Sequence, residues 1–150
     1  SSVMSEQERE SFLSEFQSGR GTLVGFCVMG GIFSEGIDLL GDRLIGALIV
    51  GTGIPQVGTE NEILKAFYDE RGENGFDYAY RYPGMNKVLQ AAGRVIRTQK
   101  DRGIILLLDE RFCQRENLSL FPEEWSNYQV SKITSVEKQL KKFWAGEASE

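Results

Sequence analysis

Residues 85–108 constrain the fold most, because they predict a helix that is followed directly by a buried strand. On a helix with 100° per residue, the two arginines Arg94 and Arg97 lie within about 40° of Gln90. The opposite side carries apolar residues at helical spacing, namely Met85, Val88, Leu89, Ala92, Val95 and Ile96. The apolar run at residues 103–108 then predicts a strand buried on both faces.

The polar stripe of this helix predicts a site for a phosphate group. Two guanidinium groups about one turn apart form a permanently charged fork that suits phosphate oxygens. Gly93 lies beside the stripe and reduces its bulk, although a glycine costs about 1 kcal/mol in a helix interior. The pattern therefore predicts a helix that a ligand can approach closely. An amphipathic surface helix with solvated arginines is the alternative.

A second segment with polar side chains follows the strand that we predict at residues 22–29. This strand ends in a glycine-rich turn at residues 30–38, which contains Ser34, Glu35, Gly36 and Asp38. In open parallel α/β sheets, ligands bind where strands end in such turns. Glycines let backbone N–H groups approach phosphate, and the Asp38 carboxylate can accept a hydrogen bond from a ribose hydroxyl.

Both segments resemble motifs of a known family. Residues 90–97 read Q-A-A-G-R-V-I-R, followed by Asp101, Gly103, an apolar strand and the triplet D-E-R at residues 109–111. This pattern resembles motif VI of superfamily-two helicases, and among these it is most similar to the XPD/DinG branch. Residues 34–38 (S-E-G-I-D) resemble motif V of that branch and stand in the expected order. The resemblance covers roughly residues 6–125.

The resemblance implies an α/β fold: a RecA-like domain of the P-loop NTPase type, with a mostly parallel sheet flanked by helices. We expect both motifs at the carboxyl ends of strands. A P-loop needs Gly-Lys-Ser/Thr, and the chain contains no Gly-Lys dipeptide. We therefore expect residues 1–150 to form a single second helicase domain of a larger protein, with residues 1–4 and 145–150 frayed.

For motif VI, the resemblance implies a place in an ATP site between two domains. Gln90, Arg94 and Arg97 would face the triphosphate, and Arg94 or Arg97 would act as the arginine finger. The N-terminal RecA-like domain of the same protein would hold Mg²⁺. The full-length protein would then be an ATP-dependent DNA helicase, whereas the isolated chain would be inactive.

For motif V, the resemblance implies that Gly36 and Asp38 bind nucleotide. Ser34 and Glu35 would relay the nucleotide state to a track for single-stranded DNA. The family resemblance further implies DNA unwinding, typically 5′ to 3′, a role in DNA repair, and often an iron–sulfur cluster in the missing half. A non-catalytic RecA-like module that binds a protein partner through its acidic surface is the main alternative, and a translocase or nuclease-linked member of the same branch is another.

Composition excludes several classes of site. The chain is 41% hydrophobic and 26% charged, with a net charge of −5, so any nucleic-acid contact must be local. It contains no histidine, which excludes His-dependent triads and His-ligated metals within the chain. Two cysteines cannot form a four-thiolate metal site, and we expect Cys27 in the core and an intracellular setting. The longest apolar run, residues 44–54, is too short to span a bilayer.

Two further segments imitate nucleotide motifs. The turn after the strand that we predict at residues 44–50 contains Gly51 and Gly53, but Gln56 stands where a dinucleotide fingerprint needs its third glycine and Pro55 blocks the helix start. The strand before Asp109 imitates a Walker B strand. In the family, however, that aspartate and Arg111 belong to the tail of motif VI.

The remaining elements follow from capping and spacing. Capping boxes at Ser5/Glu8 and Thr59/Glu62 predict two helices, the second with an apolar face of Ile63, Leu64, Phe67 and Tyr68.

We expect Tyr78, Tyr80 and Tyr82 to pack and to form hydrogen bonds; an exposed stacking edge is the alternative. Pro83 and Gly84 predict a break before the motif VI helix. A closing helix is predicted at residues 134–144, with Val136, Leu140, Phe143 and Trp144 inward and Lys138, Lys141 and Lys142 solvated.

Overall fold

The structure, a computed structural model, describes residues 4–16, 21–31, 39, 41–98 and 100–146. Its contacts divide the chain into two compact units, residues 1–120 and residues 121–150, and each is described by itself. The single domain expected over residues 1–150 stays a prediction.

Helix α1 (Glu6–Ser14) begins with the predicted capping box. The Ser5 hydroxyl accepts a hydrogen bond from the Glu8 N–H at 3.3 Å, and the Glu8 carboxylate accepts one from the Ser5 N–H at 2.8 Å. These reciprocal bonds satisfy backbone donors that a helix start otherwise leaves unpaired. The sequence therefore located this helix start correctly.

Strands β1 (Gly46–Val50) and β2 (Ile104–Leu108) form a parallel pair in the first unit, with Gly46 opposite Ile104 and Val50 opposite Leu108. This confirms both predicted strands and the parallel α/β class. The predicted full burial is wrong, because Leu48 is 66% exposed and β2 is only half-buried. A strand is buried on both faces only when other elements cover both of them, and the local sequence does not determine that cover.

The strand predicted at residues 22–29 is not present. Residues 21–28 have no regular secondary structure and are exposed, and Phe26 is 95% exposed. Cys27 is exposed as well, which contradicts its expected place in the core. A strand requires hydrogen bonds to a neighbour, and this segment pairs with neither β1 nor β2.

Helix α2 (Thr59–Asp69) has Gly58 as its N-cap, without a hydrogen bond from a capping side chain. The predicted capping box at Thr59 and Glu62 is therefore wrong. The Glu62 carboxylate instead accepts a hydrogen bond from the Tyr80 hydroxyl at 2.5 Å. A side chain that finds a tertiary partner is no longer available to cap its own helix.

The predicted apolar face of α2 is open over much of its length. Ile63 is 65% exposed, and Leu64 and Phe67 are exposed too. Tyr68, the fourth member of this face, stacks on Tyr78 with ring centroids 3.8 Å apart. Hence only part of the face packs within the described residues of this unit.

A π-helical turn (Asp77–Arg81) runs directly into helix α3 (Tyr82–Ala92). Pro83 and Gly84 lie in the first turn of α3, so the predicted break before the motif VI helix is wrong. Proline is tolerated in a first helical turn because its missing N–H is not needed there. Tyr80 is only 3% exposed, which confirms packing over an exposed stacking edge.

The apolar side of α3 supplies the core of the first unit. Met85, Val88, Ala92 and Val95 are buried, as the helical pattern predicts, and α3 packs against β1. Ile96 is 48% exposed and is therefore wrongly predicted as core.

A short helix, α4 (Arg115–Leu118), ends the first unit, and helix α5 (Ile133–Ala145) dominates the second. The closing helix is confirmed, although Trp144 is 41% exposed rather than packed inward. The helix includes Ala145, so the predicted frayed end is wrong at that residue. Gly146 ends the helix at a φ of +80°.

The inward-facing residues Val136, Leu140 and Phe143 are half-buried, and the three lysines Lys138, Lys141 and Lys142 are exposed as predicted. In the part of the chain that the structure describes, no helix combines the length and the apolar character that crossing a bilayer would require.

Candidate functional site

The residues predicted to form motif V, namely Ser34, Glu35, Gly36 and Asp38, lie outside the described residues. The turn that leads toward them is described, and Gly30 has a φ of +80°. A Cβ atom at Gly30 would lie 3.3 Å from the Lys87 side chain on α3. The chain therefore enters motif V in contact with the helix that carries Gln90.

Helix α3 ends at Ala92, before Arg94 and Arg97, the two arginines predicted to belong to motif VI. Hydrogen bonds tighten the chain after this point: the Arg94 N–H donates to the Ala91 carbonyl at 3.3 Å, and the Val95 N–H donates to the Ala92 carbonyl at 3.0 Å. Gln90 is exposed in the last helical turn, while Arg94 is half-buried in the following turn. Arg97 lies beyond that turn, so the predicted single helical stripe is wrong for Arg97.

Gly93 has a different role from the predicted one. It is the C-cap of α3 with helical φ and ψ of −64° and −4°, and its N–H donates to the Leu89 carbonyl at 2.8 Å. It is exposed at the helix end. The residue therefore ends the helix just where the chain turns toward Arg94.

Asp101 holds the segment that contains Arg97. Its Oδ2 accepts hydrogen bonds from the backbone N–H groups of Arg97 at 2.9 Å and Thr98 at 2.8 Å. These bonds favour the ionised carboxylate and lower the pKa of Asp101. The aspartate of the motif VI tail thus orders the backbone at the second arginine.

Gly103 allows three segments to meet at the amino ends of the two strands. A Cβ atom at this position would lie 2.3 Å from Val95 Cγ1 and 3.1 Å from the Ile45 carbonyl oxygen. Ile45 and Gly103 immediately precede β1 and β2, so the motif VI turn lies at the amino end of this pair. The expectation that motif VI lies at the carboxyl ends of strands is therefore wrong.

Asp109 and Arg111 lie at the opposite, carboxyl end of β2. The Arg111 Nε donates to Asp109 Oδ1 at 2.9 Å, and Nη2 donates to Oδ2 at 2.6 Å. This bidentate pair lowers the pKa of Asp109 to about 2. The Asp109 carboxylate is thus engaged by the guanidinium of Arg111, the other residue that the resemblance assigns to the same tail.

A cavity of about 170 Å³ opens beside this pair. Polar side chains make up most of its lining: Thr52, Arg81, Arg111, Gln114 and Asn117. Thr52 is 4% exposed, and its buried hydroxyl has no hydrogen-bond partner among the described residues. Sequence reasoning named only Arg111 from this set, because its members come from three separate stretches of the chain that no motif spacing connects.

The loop after β1 explains its glycines without a nucleotide fingerprint. Gly53 has a φ of +67°, and a Cβ atom there would lie 2.6 Å from the carbonyl oxygen of Gly84 on α3. The following helix begins only at Thr59, with no side-chain cap. Gly53 therefore serves close packing between the loop and α3, which explains this glycine without a nucleotide.

The described residues offer no ready metal site. In that part of the chain, no group of three or more Cys, Asp or Glu side chains lies together as metal ligands would. The two carboxylates described beside the strand ends are both engaged: Asp101 accepts from backbone N–H groups, and Asp109 is paired with Arg111.

The chain is similar to several known proteins. The helicase C-terminal domain family matches residues 2–128. The chain is 30% identical over 117 residues to the general transcription and DNA repair factor IIH helicase subunit XPD of Dictyostelium discoideum, covering 76% of this chain and 15% of that protein. It is 28% identical over 116 residues to the ATP-dependent DNA helicase YoaA of Escherichia coli, covering 75% of this chain and 18% of that protein.

A third relative has a higher identity over a shorter stretch. The ATP-dependent DNA helicase DinG of Photobacterium profundum is 36% identical over 87 residues, which covers 57% of this chain and 12% of that protein. The chain thus spans less than a fifth of the length of each of these relatives.

Proposed function

Because this chain belongs to the helicase C-terminal domain family, in its XPD/DinG branch, we propose that it is the second motor domain of an ATP-dependent DNA helicase. The observation that carries the proposal is the motif VI turn. Arg94 and Arg97 follow the end of α3, and Asp101 orders the backbone between them and β2. A turn that is held in this way can present two cations to a neighbouring domain.

The proposed ATP site lies between this domain and the N-terminal RecA-like domain of the same protein. The residues described here suit the triphosphate better than the metal. Gln90 is exposed in the last turn of the helix that leads to the two arginines, whereas Asp109 is paired with Arg111. We therefore assign Mg²⁺ to the other domain, where it would screen phosphate charge.

In this proposal, Arg94 or Arg97 is the arginine finger. A guanidinium that reaches the transferred γ-phosphoryl group neutralises charge that develops in the transition state, and such a group contributes about 10³–10⁵ in rate. Gln90 contributes a neutral donor and acceptor to the same face. Arg97 is held through its own backbone N–H, so its position depends on Asp101.

Motif V completes the proposal. Gly36 and Asp38 bind nucleotide, while Ser34 and Glu35 pass the nucleotide state to single-stranded DNA. The described turn at Gly30 supports this arrangement, since it brings the entrance of motif V against Lys87 of α3. The cleft closes on nucleotide and opens after hydrolysis, which moves the two domains along the DNA inside the cell.

The test is Arg94→Ala in the full-length protein. We expect DNA-stimulated ATP hydrolysis to fall by about 10³ or more, because the charge on the γ-phosphoryl group loses its partner. Binding of single-stranded DNA, measured by fluorescence anisotropy, should stay within about twofold of the unmodified protein.

Arg71→Ala is the matched control, because Arg71 is exposed and its guanidinium lies over the Phe67 ring, away from motif VI. This variant should hydrolyse ATP normally. Near-normal turnover in Arg94→Ala would refute the finger role of Arg94. Near-normal turnover in Arg97→Ala as well would refute the motif VI proposal.

A further inference from the structure

The cavity beside Asp109 and Arg111 is separate from the motif VI turn. It opens where β1 and β2 end, since Thr52 follows β1 and Arg111 follows β2. The motif VI turn contacts Gly103 at the other end of the same strands. A five-residue strand spans about 16 Å, so the two sites lie at opposite edges of the pair.

Two arginines give the cavity a positive lining. Arg81 donates to the Asp77 carboxylate through Nη1, and Arg111 donates to Asp109 through Nε and Nη2. Neither carboxylate lines the cavity. The remaining edges, Nε and Nη2 of Arg81 and Nη1 of Arg111, make no hydrogen bond to any residue that the structure describes. Each aspartate therefore orients a guanidinium whose other edge is available to an anion.

Thr52 provides an independent indication of a ligand. Its hydroxyl is buried and unpartnered within the described part of the chain, and the residue lines the cavity. A buried hydroxyl without a partner costs free energy, and native structures keep few such groups. An oxyanion between the arginines would accept a hydrogen bond from this hydroxyl.

The remaining lining groups fit the same ligand. Gln114 is exposed at the rim and can donate through its amide. Asn117 is 5% exposed and donates to the Arg111 carbonyl oxygen at 2.7 Å, which fixes the backbone of the arginine. The volume of about 170 Å³ is small and suits a compact group rather than a whole nucleotide.

We propose that this cavity binds a phosphate-class oxyanion between Arg81 and Arg111, with the Thr52 hydroxyl as a further donor. The source of the group is either free inorganic phosphate or the terminal phosphate of a nucleic-acid strand. Both present tetrahedral oxygens to the same donors. The site does not depend on the proposed role of motif VI.

The experiment is a titration of the ¹⁵N-labelled 150-residue chain with inorganic phosphate, followed by NMR at the Thr52 amide and at the Nε–H groups of Arg81 and Arg111. We expect saturable shifts at these groups, with no such shifts from sodium chloride at equal ionic strength. Thr52→Val should weaken phosphate binding by about tenfold, since one hydrogen bond to a charged group is lost. The variant should fold, because the hydroxyl has no partner to lose.

Gln114→Glu is a second variant, at an exposed position that folding does not require. Its carboxylate should weaken phosphate binding by about tenfold or more through repulsion. Arg71→Gln is the control for net charge and should leave the phosphate affinity unchanged.

Two outcomes of the phosphate titration would overturn the proposal. One is the absence of saturable shifts at Thr52 and both arginines. The other is equal phosphate binding in the unmodified chain, Thr52→Val and Gln114→Glu. Single-stranded oligonucleotides with and without a 5′-phosphate, added as competitors of inorganic phosphate, identify the source of the bound group. If only the phosphorylated strand displaces inorganic phosphate, the site binds a strand end. If neither strand displaces it, the site binds free phosphate.

Competition by both strands equally would mean that the cavity reads the nucleic-acid backbone, and would overturn a site for a terminal or free phosphate.

Discussion

At the scale of single residues, the two aspartates predicted to belong to the motif VI tail bind different partners. Asp101 accepts from two backbone N–H groups, whereas Asp109 forms a bidentate pair with a guanidinium. Both arrangements favour the ionised carboxylate, so the pKa of each is lowered. The sequence pattern included both aspartates, and the structure shows that Asp101 holds the backbone of Arg97 and that Asp109 holds the side chain of Arg111.

Asp109→Asn should make stability depend less on pH. The pKa of Asp109 is about 2 in the folded chain against an ordinary value of 3.8, so its stabilisation is present above about pH 4 and is lost as the pH falls toward 2. Because Arg111 is 46% exposed, solvent screening limits the effect to about 1 kcal/mol. Urea unfolding at pH 7 and at pH 2.5 measures the free energy of unfolding of both proteins.

The difference in the free energy of unfolding between the two proteins should be largest at pH 7 and should shrink by more than half at pH 2.5, where the unfolded carboxyl is protonated and the folded one begins to be. Glu116→Gln, an exposed acid nearby, is the control and should change the free energy by less than about 0.5 kcal/mol. An equal loss in Asp109→Asn at both pH values would contradict an electrostatic origin.

At the scale of elements, the end of α3 decides where the motif VI arginines lie. Helical periodicity placed Gln90, Arg94 and Arg97 on one stripe, but the helix ends at Ala92. Val95 then turns inward and is 4% exposed. Its burial against Gly103 is a tertiary contact that a helical wheel cannot contain.

Gly103→Ala tests this junction. The added methyl group would lie 2.3 Å from Val95 Cγ1, so we expect a loss of about 1–3 kcal/mol in the free energy of unfolding. Gly21→Ala is the matched control, because no atom lies within 4 Å of a Cβ there and its stability should hardly change. Thermal or urea unfolding of the chain provides the measurement.

Val95→Ala should partly rescue Gly103→Ala, because it removes the methyl group that clashes. The double variant should therefore be more stable than the sum of the two single losses implies. Strict additivity in this double-mutant cycle would show that the clash is relieved elsewhere.

At the scale of the whole molecule, the parallel pair separates two sets of cations. The motif VI turn lies at the amino ends of β1 and β2, and the paired arginines Arg81 and Arg111 line the cavity at their carboxyl ends. One edge suits the proposed nucleotide of a neighbouring domain. The other edge suits the proposed oxyanion.

The isolated chain and the full-length protein should differ in activity. Since the chain has no Gly-Lys dipeptide, it lacks the P-loop that the proposed site requires, and we expect no ATP hydrolysis from it at any DNA concentration. The full-length protein should hydrolyse ATP and respond to single-stranded DNA. A coupled phosphate-release assay on both proteins, side by side, makes the comparison.

Hydrolysis by the isolated chain would reveal a phosphate-binding loop that the motifs do not account for. If neither protein hydrolyses ATP, the motif VI role is refuted and the non-catalytic interaction module replaces it.

Short-range patterns were sufficient for much of this fold. The capping box at Ser5, both strands of the parallel pair, and the core residues Met85 and Val88 followed from spacing alone. The errors came where a segment depends on distant partners. The strand expected at residues 22–29 pairs with neither β1 nor β2, and the cap expected from Glu62 is replaced by its bond to Tyr80.

By itself, the sequence predicted the helicase family and the parallel α/β class and showed that the chain has no Gly-Lys dipeptide, because each of these depends on residue type at fixed spacing. Only the tertiary structure decided which end of the strand pair carries motif VI and which residues line the cavity. The first depends on the contact between Val95 and Gly103, and the second on Thr52 and Arg111 lining the same cavity. Sequence periodicity reports only on residues within one helix or strand, so it cannot predict contacts between separate segments.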